Sequence, residues 1–411
     1  MSRRILVVHY TPPGVVGGVE SVILEHARLL TERGFEVQIV AGQEGSGGMR
    51  VHVVPELNVA APEAVALENE LAQGLVGPRF WHMRGRILER LVPLASGAHR
   101  VIVHNALTLH FSLPLTSVAW HLAATVARRR VIAWCHDLSW TNPLYVSTMH
   151  PGHPWDLLRY PAPGVQYVTV SSERRGELLA LWGDQVEDVI VVPNGIDPMA
   201  FLRLSPTARD IASRHQLADR DMVLLLPVRI TRRKNVELAI RAVKALANRG
   251  VDVLFLVSGP TAPHHPVRSM SYLDELKQLC ASLEVEERVI FLADTRDANL
   301  TTQTVSELYA LSDALLLPST QEGFGLPILE AGLARVPVIL TDIPVFREVG
   351  GEHVHRFDLQ DDPDTIAAKI LGVLEGAQSR LYRRVLREYS WDSIIEGRLL
   401  PLLEGPSVGK A

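Results

Sequence analysis

Two hydrophobic periods alternate along this chain. Short runs of aliphatic and β-branched residues, each bounded by turn or helix signals, predict strands at residues 5–8, 37–41, 51–54, 101–103, 131–135, 167–170, 189–192, 253–257, 289–292, 314–317 and 336–340. Most of these runs are apolar throughout, the pattern of strands covered on both faces. Between them apolar residues recur at helical spacing, as Val22, Ile23, Leu29 and Leu30 in one stretch and Val236, Leu238, Ile240, Val243 and Leu246 in another. Strands alternating with helices imply parallel sheets with helices packed on both sides.

The pattern also repeats. Residues 3–42 read RRILVVHYTPPGVVGGVESVILEHARLLTERGFEVQIVAG, and residues 221–259 read DMVLLLPVRITRRKNVELAIRAVKALANRGVDVLFLVSG. Each runs from a buried strand through a polar loop into an amphipathic helix, stops at Arg-Gly and re-enters an apolar strand. Gly34 and Gly250 stand where a helix end needs a left-handed residue. Each copy is therefore a βαβ unit, and the turn-forming run Pro193-Asn194-Gly195-Ile196-Asp197-Pro198 separates them. The expected architecture is α/β, with two Rossmann-like parallel-sheet domains, residues 1–195 and 196–385, facing each other across a cleft, followed by a helical segment at 386–411. A chain of 411 residues suits that division.

Composition excludes several classes. At 47% hydrophobic and 21% charged residues the chain is too apolar to be disordered. Its 41 Lys and Arg against 46 Asp and Glu leave a net charge of -5, so no global positive field attracts nucleic acid. No apolar run approaches the length of about 18 residues that a membrane helix needs, and the N-terminal run is too short for a signal-peptide core. Cys135 and Cys280 each lie in an apolar stretch and read as reduced, buried thiols of a cytoplasmic protein, not as a disulfide or a metal-thiolate site.

Ligands of open parallel sheets bind beyond the carboxyl ends of the strands. His9, His104, His136, Ser171 and Asn194 end strands in the first half, and Arg229, Ser258, Asp294, Ser319 and Asp342 follow strands in the second. The loop from Thr11 to Glu20 holds Gly14, Gly17 and Gly18, which let the backbone approach a ligand, and the helix start beyond it offers N–H groups to an anion. That loop lacks both the G-x-G-x-x-G spacing and a Walker A lysine, which disfavours a nicotinamide enzyme or a P-loop NTPase. Its counterpart in the second half, Arg229-Ile230-Thr231-Arg232-Arg233-Lys234-Asn235, puts cations at a helix start, where the helix dipole opposes them. A diphosphate would balance these charges. The sharpest motif is Glu322-Gly323-Phe324-Gly325-Leu326-Pro327-Ile328-Leu329-Glu330. A buried strand precedes it, Pro327 fits a first helical turn, and the glycines leave N–H groups bare. Glu330 then lies one turn inside the helix, able to accept two ribose hydroxyls, while Glu322 stays in the loop.

These motifs resemble the retaining glycosyltransferases of family 4, which have the GT-B fold. The E-G-F-G-x-x-x-x-E core, G-G-V-E at residues 17–20, His136-Asp137, P-N-G-I-D at residues 193–197, and Arg229 with Lys234 follow the family's order over nearly the whole chain. The resemblance implies that Arg229 and Lys234 bind the diphosphate of a nucleotide-sugar donor, helped by backbone N–H groups at Gly17, Gly18, Phe324, Gly325 and Leu326. It further implies that Glu322 contacts the donor sugar, Glu330 the ribose and His136 the hydroxyls of the transferred sugar. Asn235 stands where many members carry Gly. The implied mechanism is front-face transfer: the departing diphosphate oxygen takes the acceptor's proton while cations stabilise the developing charge, with no cofactor and no metal required. A double displacement would need a nucleophilic and an acid/base carboxylate about 5 Å apart, and no convincing second pair is found. The C-terminal helix is implied to cross back onto the first domain. The expected activity is transfer of glucose or mannose from UDP-glucose or GDP-mannose to a hydroxyl of a sugar, sugar phosphate or glycan. A catalytically silent sugar-nucleotide binding protein and a GT-B-like epimerase stay open as alternatives.

Three weaker signals remain. Residues 138–164 form a long, Pro-rich, aromatic stretch in which Trp140, Tyr145, Trp155 and Tyr160 are candidates to stack on the acceptor, unless the segment is simply a packed loop. Residues 79–92 interleave arginines with apolar residues, which suits either peripheral contact with an anionic membrane or a core-facing helix with a solvated Arg face. His150, His153, His264 and His265 lack a Cys or carboxylate to complete a zinc set.

Overall fold

The computed structural model describes residues 3–15, 17–45, 49–183, 188–259, 266–295, 300–375 and 377–404. Two sheets organise them. The first holds β1 Arg4–Val8, β2 Glu36–Ala41, β3 Val51–Val53, β4 Arg100–His104, β5 Val131–Cys135, β6 Gln166–Thr169 and β7 Val189–Val191, in the order β3-β2-β1-β4-β5-β6-β7. The second holds β8 Met222–Leu226, β9 Val253–Val257, β10 Val289–Phe291, β11 Ala314–Leu317, β12 Val338–Thr341 and β13 His355–Phe357, in the order β10-β9-β8-β11-β12-β13. Every pairing is parallel. The architecture is thus two Rossmann-like parallel-sheet units. In each, the strand order reverses beside the first strand, so the topological switch points, where such sheets bind ligands, are β1/β4 and β8/β11.

Burial explains why these strands read as unbroken apolar runs. Ile5 and Val7 face a core with Val22, Ile23 and Leu30 of the helix Gly18–Glu32 and with Ile394, Ile395 and Leu399 of the C-terminal segment. Leu6 and Val8 face the opposite core, with Ile87 and Leu91 of the helix Pro78–Gly97 and with Val118 and Leu122. Each such side chain taken from water contributes roughly 1.5–3 kcal/mol. The helices Gly18–Glu32 and Val236–Asn248 both run out into the expected glycines, Gly34 and Gly250, each at φ +82°.

The chain divides into two compact units between Gly195 and Ile196; the second extends to Ser390, and the segment from Trp391 belongs to the first. The return therefore starts later than residue 386. The helix Ala377–Glu388 stays in the second unit because Arg383 donates to Asp313 Oδ1 at 2.9 Å and to the carbonyls of Leu217 and Arg220 at 2.8 and 3.0 Å. Asp313 in turn accepts the Val223 N–H at 2.6 Å. Trp391 lies against Gly195, where a Cβ would come within 2.6 Å of the indole, so that seat requires glycine.

The basic stretch at 79–92 is a core-facing helix. Phe80, Met83, Ile87 and Leu91 are buried, while Arg79 pairs with Glu70 at 2.8 Å, Arg86 with Glu63 at 2.6 Å and Arg90 with Glu56 at 3.4 Å. Its apolar stripe is covered by protein. No described helix is long and apolar enough to cross a membrane.

Candidate active site

In the second unit the loops that follow β8 and β11 are joined at the switch point. Thr320 donates its backbone N–H to the Arg233 carbonyl at 2.8 Å and its hydroxyl at 3.2 Å. Beside this contact Lys234 Nζ pairs with Glu322 Oε2. Lys234 is 4% exposed, and a buried ammonium needs a paired anion, which here is Glu322. Arg229 is exposed and makes no hydrogen bond or ion pair with another described residue. Arg232 points elsewhere: it pairs with Glu275 at 2.7 Å and lies 4.8 Å from the centroid of the Tyr272 ring. The cations of this loop that are not drawn off towards Glu275 are therefore Arg229, Lys234 and the exposed Arg233. Asn235 sits at φ 49°, a left-handed conformation that Asn tolerates and Gly favours.

The helix Leu326–Ala334 begins from Gly325 at φ 95°, with Pro327 in its first turn. Phe324 and Leu326 are 53% and 60% exposed, and the N–H groups of Phe324, Gly325 and Leu326 bond to no other described residue. Glu330 follows one turn into the helix, its Oε2 accepting from Tyr309 Oη at 2.6 Å. Burial and then Glu330 itself push the Tyr309 phenol upward, so the hydroxyl stays a donor. Sequence reading did not mark Tyr309; its only signal is an aromatic position in the helix Thr302–Ala310. Thr231 Oγ1, Ser258 Oγ and Ser319 Oγ, which follow β8, β9 and β11, are buried without hydrogen-bond partners among the described residues. Unpaired hydroxyls so placed are available to a polar ligand.

In the first unit the expected anion site at Gly17 and Gly18 is faced by a carboxylate. Glu20 folds back over the helix start, so that a Cβ on Gly17 would collide with its carboxylate, whereas Gly18 is open. His9 Nε2 lies 3.7 Å from Glu20 Oε1, and hydrogen bonding to that ring holds the Glu20 carboxyl below its usual range. His136, just past β5, is held twice by the end of β4. Its backbone N–H donates to Asn105 Oδ1 at 2.8 Å, and its ring Nε2 is 3.1 Å from His104 Nδ1. Burial pushes the His136 ring down to about 3 and the His104 ring well below its usual value, so both are neutral near pH 7. His104 was visible as a strand-end polar residue; its partnership with His136 was not.

The acceptor candidates separate. Trp155 is 3% exposed and is a core side chain, not an open stacking face, because its indole packs among the apolar residues under the 138–164 segment. Its carbonyl accepts Trp140 Nε1–H at 3.1 Å, and Arg159 lies 5.3 Å from the centroid of the Trp140 ring. Tyr145 packs edge-on against His110 and Phe111, with centroids 5.3 and 5.5 Å away. A cavity of about 100 Å³ opens beside them, lined by Leu67, Leu71, Met83, His110, Phe111 and Trp155.

Among the described residues no group of three His, Cys, Asp or Glu is placed to hold a metal ion. His150 donates to the Ala72 carbonyl at 3.1 Å and His153 stacks on Trp81, while His264 and His265 lie outside the described residues. The chain holds two Asp-x-Asp triplets, at residues 219–221 and 362–364, and in each one member is taken up by a local contact. Asp221 of the first pairs with Arg387 at 2.7 Å, and Asp362 of the second caps the helix Pro363–Leu374. Cys135 and Cys280 are free and buried, their thiols pushed up to about 12 and about 11 by burial.

Fold and site together define an α/β protein of two Rossmann-like units, each with a polar cluster at its switch point and the second with a cationic loop tied to a helix start. The model for Glycosyltransferase Family 4 matches residues 16–199 and that for Glycosyl transferases group 1 matches residues 208–390, and the chain belongs to this family of glycosyltransferases. An uncharacterised glycosyltransferase of Methanocaldococcus jannaschii is 28% identical over 238 residues, 56% of this chain; the match spans only 57% of that relative's length. The mannosylglucosylglycerate synthase of Thermotoga maritima is 25% identical over 84% of this chain and 82% of its own. The D-inositol 3-phosphate glycosyltransferase of Nocardia farcinica is 25% identical over 96% of this chain and 87% of its own.

Proposed function

We propose that the protein is a retaining hexosyltransferase that moves mannose or glucose from a nucleotide-diphosphate sugar to a hydroxyl of a small sugar, sugar phosphate or glycan. The observation that carries this reading is the junction of the two loops in the second unit, where Lys234 and Glu322 pair and Arg229 stands exposed without a partner among the described residues. A diphosphate bound to Arg229 and Lys234 would meet the open N–H groups of residues 324–326, and Glu330 would take the ribose hydroxyls. The bond from the sugar's anomeric carbon to the diphosphate oxygen breaks, and the acceptor oxygen bonds to that carbon on the same face. The acceptor's proton passes to the departing diphosphate, whose new charge Arg229 and Lys234 stabilise. In the second unit Glu322 is assigned to the donor sugar; for the first unit, the resemblance to the family assigns His136 to a sugar hydroxyl. These cations take the place of a metal. The names of two relatives, a mannosylglucosylglycerate synthase and an inositol-phosphate glycosyltransferase, support a polar, phosphorylated or sugar-like acceptor. We place the activity in the cytoplasm, in keeping with two free, buried cysteines.

The test is incubation with UDP-glucose, GDP-mannose and ADP-glucose against a panel of sugar and sugar-phosphate acceptors, with product anomers read by NMR and a parallel arm in EDTA. Retained configuration, EDTA-insensitive turnover, and its loss in Lys234→Ala and Glu322→Ala are expected. Nucleotide binding without turnover in every mixture would mean a silent binding protein. Inversion at a sugar carbon without transfer would mean an epimerase.

A further inference from the structure

His104 and His136 share one proton across the 3.1 Å between His104 Nδ1 and His136 Nε2, and only one of two arrangements suits the surroundings. If His136 donated, His104 would carry its own proton on Nε2, an atom that is buried without a hydrogen-bond partner among the described residues. A buried N–H left unpaired costs the full desolvation of a donor, whereas a bare ring nitrogen is the lesser loss. His104 must therefore donate through Nδ1, which leaves Nε2 as the unprotonated atom and obliges His136 to carry its proton on Nδ1. The backbone supports the same geometry. The His104 carbonyl accepts from His9 Nδ1 at 3.2 Å, and Asn105 Oδ1 accepts the His136 backbone N–H, so the main chain at both strand ends is held. His136 Nδ1 bonds to no described residue, and the residue as a whole keeps intermediate exposure.

We infer that His104 is a positioning residue that locks His136 in the Nδ1–H tautomer and so makes it an obligatory hydrogen-bond donor to an oxygen of the transferred sugar. The tautomer follows from the first unit's geometry alone; its use toward a sugar rests on the transferase reading above. Water on its own favours the opposite tautomer of imidazole, so the lock has a spectroscopic signature that a merely structural histidine lacks.

The experiment is long-range 1H–15N correlation of the histidine rings in the ligand-free, 15N-labelled full chain. His136 is expected to be protonated on Nδ1 and bare on Nε2. In His104→Leu it should revert towards Nε2–H. In His104→Asn, whose amide nitrogen stands near the place of Nδ1, the Nδ1–H form should return. With a turning-over donor, His104→Leu is expected to lower kcat about tenfold, the worth of one misdirected hydrogen bond, with donor KM shifted less than about twofold and most of the loss recovered in His104→Asn. A wild-type spectrum with His136 protonated on Nε2 overturns the inference, and so does an unchanged His136 signal in His104→Leu. The wild-type spectrum alone decides if that variant does not fold. Failure of every donor to turn over overturns the transferase reading instead, and the tautomer is still settled by the spectrum.

Discussion

On the proposed function Glu322 acts in two opposed ways, stabilising the ligand-free protein by pairing with Lys234 and occupying a cation that a bound diphosphate would need. Glu322→Gln separates them, keeping the shape of the side chain and deleting its charge. The pair is largely out of water, with 6% of the Lys234 side chain and 14% of the Glu322 side chain exposed. Removing one partner of a buried pair costs about 3–5 kcal/mol. The glutamine carbonyl leaves an acceptor near Nζ and the site is not wholly closed, so the expected loss here is about 2–3 kcal/mol. A nucleotide diphosphate restores the missing charge. It must displace Glu322 in the wild type but not in the variant, so UDP or GDP should bind Glu322→Gln about tenfold more tightly, equivalent to about 1.4 kcal/mol, while sugar transfer slows. Urea unfolding of the ligand-free and nucleotide-saturated proteins, with calorimetric titration of UDP and GDP, reads both effects. The variant should unfold earlier when empty, and saturation should narrow the gap. If the empty variant unfolds within about 0.5 kcal/mol of wild type and binds neither nucleotide better, Lys234 is not held by Glu322 in solution and the reasoning fails.

Three further outcomes follow from the same structure. Tyr309→Phe removes the hydroxyl that holds Glu330, and should raise donor KM about fivefold while kcat stays within about twofold, as steady-state kinetics will show. Arg383→Met strands Asp313 in the second unit, where the two side chains are 11% and 4% exposed, and should cost about 3–5 kcal/mol in chemical denaturation while leaving the folded protein's donor KM unchanged. His26 lies between Trp134 and Trp391 with neither ring nitrogen partnered among the described residues, and burial pushes it down to about 3 from its ordinary 6.5. Below pH 6.5 the unfolded ring takes a proton that the folded ring refuses, so the unfolded state binds more protons and stability falls as pH drops. Between pH 6.5 and 5 that amounts to about 2 kcal/mol for one ring, and His26→Leu should remove that share of the acid sensitivity when unfolding is compared at pH 7 and pH 5.

What the sequence conceals is partnership across distance. Strands covered on both faces announce themselves as apolar runs, so nearly every strand was legible; β13 was not, because its edge position leaves His355 and Arg356 unconstrained by burial. The Arg-Gly helix ends were legible for a local reason, since both need a left-handed residue at the same place. The cationic loop, by contrast, reads as a single charge. Only the fold shows that Arg232 is taken by Glu275, 43 residues on, and that Lys234 reaches Glu322, 88 residues on. Yet a signal for the second pair was present. In a doubly wound sheet of order 3-2-1-4-5-6 the first and fourth strands are neighbours, and so are the fourth and fifth. Numbering the predicted strands by that rule places the loop after β8 beside the loop after β11, hence Lys234 beside Glu322. It also places the end of β4 beside the end of β5, hence His104 beside His136. Hydrophobic pattern identifies which residues stand at strand ends; crossover order identifies which ends are adjacent, and the chemistry of a strand-end site lies in that second relation.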